Sequence, residues 1–174
     1  MECFCLHCER IRLNDPFYLP RFSVQHKDCI RTTISLIDET STTTEMTFSI
    51  IGDPLPLTRS VHNELFYSHN EIISFRDCID SLIIGHIFNP FLHSDTLQME
   101  IYFHPLQQDF FIPKEVLTSL ADQIEQALSG LLYPNLGQVH QVLTYRSPTS
   151  SNMGMMTISL KNEIDPINDN DFDY

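Results

Sequence analysis

The chain has 174 residues, 42% of them hydrophobic, which is enough apolar material for one packed domain and excludes a fibrous or wholly disordered polymer. Its 23 acids against 10 bases give a formal charge of −13 and a pI near 4.8, so its field repels phosphate backbones and anionic lipid and attracts basic proteins. No apolar run reaches the roughly 18 residues that span a bilayer, and Met1-Glu2-Cys3 has neither the basic start nor the apolar stretch of a secretory signal. The expected setting is therefore the reducing cytoplasm, with no membrane partner, which suits an odd count of five cysteines.

The first feature in chain order is a cluster of soft ligands. Cys5, Cys8, His26 and Cys29 stand in the order C-x2-C-x17-H-x2-C. A two-residue gap lets each pair turn tightly and put both ligand atoms on one side of a metal ion, and seventeen residues between the pairs suffice for a hairpin or a short loop. This spacing resembles the first zinc-binding half of LIM domains and, more loosely, a treble-clef finger. Phe17, Tyr18 and His26-Lys27-Asp28-Cys29 stand where such modules carry aromatics and their second ligand pair. The resemblance ends near residue 30, and a complete LIM fold is excluded because Cys78 is the only later cysteine. With four protein ligands the zinc would be closed to substrate and structural, holding together a segment too short to bury a core of its own. Cys3 or His7 could replace a neighbour as ligand, and the competing readings are buried free thiols and, less in keeping with the compartment, disulfides. Residues 1–30 are thus expected to form a zinc-binding segment.

Residues 31–52 predict a β-hairpin, with Thr32–Ile37 and Met46–Ile51 rich in Thr, Ile and Phe and separated by the polar stretch DETSTTTE. Gly52-Asp53-Pro54 stops the second strand, and Pro-Leu-Pro-Leu after it reads as an extended connection. Ser74-Phe75-Arg76-Asp77 has the form of a capping box, with Asp for the usual Glu or Gln, and predicts the start of a helix. Its stripe of Phe75, Cys78, Ile79, Leu82 and Ile83 points to a core face closed by Gly85, and makes Cys78 a packed thiol. Leu97–Phe103 alternates Leu, Met, Ile and Phe with Gln98, Glu100 and Tyr102, the pattern of a half-buried antiparallel strand.

Pro113 is placed for the first turn of a second helix, with Val116, Leu117, Leu120, Ile124, Leu128 and Leu131 as its apolar stripe. Pro134-Asn135-Leu136-Gly137 turns the chain; Val139–Tyr145 and Met155–Leu160 read as strands. Together these predict an α+β domain over residues 31–161, a mostly antiparallel sheet with two helices on one face. Residues 162–174 read as a disordered acidic tail, in which Asp169, Asp171, Phe172, Asp173 and Tyr174 set aromatic anchors among carboxylates, a form suited to a basic groove on another protein.

Motifs for chemistry are missing. There is no G-x-S-x-G, phosphate loop or dinucleotide fingerprint. His62 and His69 flank Glu64, and His86 and His93 share the same offset, but neither pair matches a metalloprotease pattern, so no catalytic residue is assigned. The tail fails as a calcium loop, lacking the turn glycine and ending too soon. Basic residues cluster only at Arg10, Arg12, Arg21, Lys27 and Arg31, which is little for nucleic acid. Single-domain size, cytoplasmic thiols, missing catalytic motif and charge −13 together predict a non-enzymatic inhibitor that covers a basic protein partner, as immunity proteins and antitoxins do. The alternative is a zinc-stapled adaptor that binds through its amino-terminal module.

Overall fold

The computed structural model describes residues 22, 30–37, 40–56, 60, 64–84, 91–105, 112–146 and 154–163. Among them are five strands and two α-helices: β1 (Ile30–Ile37), β2 (Thr40–Ile51), α1 (His69–Ile84), β3 (Leu97–His104), α2 (Lys114–Leu128), β4 (Val139–Arg146) and β5 (Met155–Asn162), with a short 3-10 turn at Leu136–Gln138. The strands form one sheet in the order β1-β2-β5-β3-β4. Every neighbouring pair is antiparallel except β3 and β4, which run parallel because α2 carries the chain back across the sheet between them. The last strand thus fills the slot between β2 and β3, in the middle of the sheet. The architecture is the α+β fold expected, with a βαβ unit that the alternating pattern of β3 alone could not reveal.

Side-chain alternation gives the sheet two unlike faces. On one, the cross-strand rows Met46-Leu160-Met99, Phe48-Ile158-Ile101 and Ile50-Met156-Phe103 are sealed from water. Both helices cover these rows, contributing Phe75, Cys78 and Ile79 from α1 and Leu117, Leu120, Ala121, Ile124 and Leu128 from α2 to a single core. Burying a Leu, Ile, Phe or Met side chain contributes about 1.5–3 kcal/mol, so these rows and stripes supply most of what orders the chain. The other face carries Glu45, Thr47 and Ser49 from β2, Lys161, Ser159 and Thr157 from β5, and Gln98, Glu100 and Tyr102 from β3.

Local chemistry sets the boundaries, and several differ from the sequence expectation. β2 begins at Thr40 and not at Met46, because the threonine run is β-branched and pairs with β1 through Ile37↔Thr40. A bulge opposite Thr33/Ile34 leaves Thr44 and Glu45 both part-exposed while Thr43 is buried beside the core, so the alternation shifts by one residue there. α1 starts at His69, more than a turn before the predicted Ser74. The working cap is Ser68-His69-Asn70-Glu71: the Ser68 N–H and hydroxyl both donate to Glu71 Oε2, at 2.7 and 2.8 Å. Ser74 and Asp77 are interior positions of the helix, both buried.

α2 begins directly after Pro113, which stands one position outside the helix and accepts the first amide hydrogen bonds from Val116 and Leu117. It ends at Leu128, so Leu131 packs on the core from the following turn and not from the helix. β5 runs on through Asn162, and the Glu163 N–H then donates to Thr96 O at 2.8 Å, two residues further into the expected tail than the apolar pattern suggested. Gly154 at the entry to β5 has φ +67°, and a Cβ there would lie 2.7 Å from the Asp53 Cα, so the approach of this turn to the Gly52-Asp53 backbone needs glycine.

One described residue from the amino-terminal segment belongs to the core. Phe22 is 1% exposed, meets Phe75 edge-to-face at 6.0 Å between centroids, and accepts the Cys78 thiol at its carbonyl, 3.0 Å away. Cys78 is accordingly the packed, inert thiol its helical position predicts.

Candidate functional site

The helical layer has a repeated charge feature. Each helix carries three acids and one base: Glu71, Asp77 and Asp80 with Arg76 on α1, and Glu115, Asp122 and Glu125 with Lys114 on α2. Asp77–Asp80 and Asp122–Glu125 are both i,i+3 pairs, which places like charges on one helix face and costs a few tenths of a kcal/mol per pair. Neither helix has a basic residue in its own last turn. For α2 the deficit is met from the neighbouring helix: the Arg76 guanidinium donates to Ala127 O at 2.6 Å, satisfying a terminal carbonyl and opposing the negative end of the helix dipole.

Two acids of this layer, Asp80 and Glu125, are disfavoured as carboxylates by partial burial. Partial burial pushes the Asp80 carboxyl above its ordinary value, with Arg76 opposing and Asp77 reinforcing the shift. Glu125 is raised for the same first reason, burial, with Asp122 adding to it. Both carboxylates therefore reduce the stability of the isolated fold at neutral pH, and an external cation would relieve that cost.

A cleft of about 380 Å³ lies between the segment before α1 and the first half of α2, lined by Glu64, Leu65, Phe66, Glu115, Val116, Ser119 and Gln123. Its apolar walls and two carboxylates match the stem and head of a long basic side chain. Its shape is fixed by the Tyr67 N–H, which donates to Gln123 Oε1 at 2.8 Å, and by mutual bonds between Ser60 and Glu64.

A second hollow, about 450 Å³, opens between the loop before β3 and the turn after α2, lined by Phe91, Leu92, His93 and residues 130–134. Gln138 bonds the carbonyls of Leu92 and Asp95, and Asn135 bonds His93, so this rim is a braced structural corner that leaves Leu92 and Leu136 exposed.

The open face of the sheet holds a polar network. Thr47 bonds Ser159 and Ser49 bonds Thr157, each at 2.9 Å. Glu100 accepts from Lys161 at 3.3 Å and from the Tyr102 hydroxyl at 3.1 Å. Tyr102 is stacked on Tyr145 of β4, centroids 4.7 Å apart and planes 17° from parallel.

Cys5, Cys8, His26 and Cys29 lie outside the described residues, as do Asp169, Asp171, Phe172, Asp173 and Tyr174. His62 and His86 also lie outside them. His69 stands at the exposed start of α1, His93 on the rim and His104 at the end of β3, on three separate elements. Among the described residues no group of three or more His, Cys, Asp or Glu side chains is placed to hold a metal ion.

The two acid pairs were visible in the sequence as D-x-x-D and D-x-x-E but carry no signal until both segments are known to be helical and adjacent. The Tyr102–Tyr145 stack needed the β3–β4 register, which no local pattern gives. No protein-family model matches the chain, and no curated protein matches it. Among the described residues no helix is long and apolar enough to cross a membrane.

Proposed function

We propose that this chain is a non-enzymatic inhibitor that binds a basic protein and covers it with its acidic helical layer, in the manner of immunity proteins and antitoxins. The observation that carries this is the half-buried pair Asp80 on α1 and Glu125 on α2, whose carboxyls are raised by desolvation at the fold's own expense. Such groups gain when a cationic surface closes over them, and the formal charge of −13 speeds the encounter. The cleft flanked by Glu64 and Glu115 offers a seat for a lysine or arginine stem beside that layer. The acidic tail, through Asp169, Asp171, Phe172, Asp173 and Tyr174, extends the same contact. A reducing cytoplasm is part of this proposal.

The test is recovery from the native host with two baits, the wild-type chain and the triple variant Asp80→Asn, Asp122→Asn, Glu125→Gln, after circular dichroism has shown both folded. A basic protein retained in one-to-one ratio by the first and lost by the second supports the proposal. Absence of any basic protein, or equal retention by both baits, refutes it.

One observation favours a second role, that of a zinc-stapled adaptor. Phe22 lies between Cys8 and His26 in sequence and is anchored in the core, so a metal-bound module built on Cys5, Cys8, His26 and Cys29 would be fixed to the α+β domain at that point. Metal content of protein purified without an affinity histidine tag tests this: about one zinc per chain, lost in Cys5→Ser/Cys8→Ser together with partner binding, supports the adaptor. Binding that survives the double variant supports the inhibitor.

A further inference from the structure

We propose that the outer edge of β4 is a self-association surface, at which a second copy of this chain pairs antiparallel with the first and joins the two sheets into one. β4 ends the strand order, and among the described residues it is paired only with β3, on one side. An edge strand presents a row of backbone N–H and C=O groups that another strand can take up. Val139–Arg146 reads VHQVLTYR, with valine, threonine and tyrosine suited to a strand and no glycine or proline to interrupt it.

Charge selects the occupant. The chain carries 23 acids, yet none lies between Glu125 and Glu163, so β4, the turn before it and β5 contain no carboxylate. Edge strands are ordinarily guarded by charge. The opposite edge strand is so guarded, since β1 is bracketed in sequence by Asp28 and by Asp38-Glu39. For a molecule of charge −13, the β4 edge is therefore the border of the sheet at which a like-charged copy meets less repulsion.

The strand also matches itself. The β3–β4 register puts Gln141, Leu143 and Tyr145 on the open face with Gln98, Glu100 and Tyr102, and Val142 and Thr144 on the helix-covered face with Met99 and Ile101. An antiparallel pair about a two-fold axis keeps like faces together when Leu143 lies on the axis. Leu143 then faces Leu143 of the second copy, Gln141 faces Tyr145, and Val142 faces Thr144, so no charge opposes a like charge along residues 141–145. Val142 and Leu143 are both part-exposed, and an added strand covers them with apolar and β-branched neighbours. Past this run Arg146 comes opposite His140, whose Nε2 lies 3.2 Å from Glu163 Oε2, so a guanidinium of one copy approaches a carboxylate of the other. The axis is perpendicular to the sheet, which leaves both acidic helical layers on the same side. Their repulsion fixes the sign of the salt effect: screening tightens the dimer, the reverse of what is expected for binding a basic protein.

The experiment is sedimentation velocity of the full chain under reductant, so that no cysteine bridge contributes, at about 10–100 µM protein and at about 0.15 and 0.5 M salt. The expected result is reversible association to twice the chain mass of 20.2 kDa, tighter at the higher salt. Leu143→Glu sets two carboxylates face to face on the axis and should weaken the dimer about tenfold or more. Leu92→Glu, the same change at an exposed site away from the edge, should leave the dissociation constant within about twofold. Circular dichroism checks that both variants fold. Amide exchange needs no variant: protection within residues 141–145 should rise with the concentration of the wild-type chain. A chain that stays monomeric, a dimer that Leu143→Glu leaves intact, or equal weakening by both variants overturns the proposal, as does exchange at 141–145 that ignores concentration. A monomer whose 141–145 amides become protected only when the basic protein is added would assign the edge to that partner, and also overturns it.

Discussion

Phe22→Ala should destabilise the fold as strongly as a substitution in the middle of the sheet, although the residue lies eight positions before the first strand. The side chain is 1% exposed and is surrounded by Tyr67, Glu71, Ile72, Phe75 and Ile124, with no space among them that admits a water molecule. Removing the ring forfeits about 2–3 kcal/mol of transfer free energy. The hole it leaves adds about 1–2 kcal/mol, because helices α1 and α2 meet there and cannot both move inward, for a total of about 3–5 kcal/mol. Part of that loss is the edge-to-face contact with Phe75, worth about 0.5–1.5 kcal/mol, so Phe22→Ala/Phe75→Ala should fall short of additivity by that amount. Urea unfolding followed by far-UV circular dichroism measures this, and the midpoint should drop with the slope unchanged. A loss below about 1 kcal/mol would refute the assignment of Phe22 to the core, and with it the attachment of the amino-terminal segment at that point.

Other consequences are equally open to measurement. Ser68→Ala should cost about 1 kcal/mol by breaking the cap on α1, whereas Ser74→Gly should lose helix propensity and no cap; amide exchange in the first turn separates the two. Gly154→Ala should cost about 2 kcal/mol or more, since the left-handed conformation and the clash with the Asp53 backbone act together; thermal unfolding reads it, and a neutral result would contradict the tight turn. Glu125→Gln should stabilise the isolated chain by a few tenths of a kcal/mol at neutral pH, after allowing for solvent screening. Because burial raises the Glu125 carboxyl in the folded state, the wild type is penalised above that raised value and recovers as pH falls through it toward the ordinary carboxylate range. The gap between variant and wild type should therefore close on acidification, and a gap that widens would contradict the sign of the shift.

The elements legible in the sequence were those whose periodicity is local. β3 alternates without interruption and α2 has a continuous apolar stripe; β3 and the start of α2 lie within a residue or two of where their patterns put them, while α2 ends three residues before Leu131. α1 was displaced because two cap-like tetrapeptides, Ser68-x-x-Glu71 and Ser74-x-x-Asp77, lie within ten residues; the stripe continues upstream through Ile72, and only packing shows that Ser74 is interior. The threonine run in β2 looked like a turn because its side chains are polar, yet β-branching and pairing to β1 decide its state. The insertion of β5 between β2 and β3, the parallel β3–β4 pair and the tyrosine stack all depend on contacts between residues far apart in sequence. Among candidate sites, the acid pairs could be read as charges but not as members of two packed helices, and the cysteine–histidine cluster and the carboxy-terminal anchors lie outside the described residues.

The most direct test of the acidic-inhibitor account is the association rate constant of this chain with the basic protein recovered from its host, measured by stopped-flow at about 50 and about 500 mM salt. Electrostatic steering predicts a fall of tenfold or more between the two, and a slower low-salt rate for the Asp80→Asn, Asp122→Asn, Glu125→Gln variant that converges on wild type at high salt. A rate constant indifferent to both salt and the triple substitution would contradict the account.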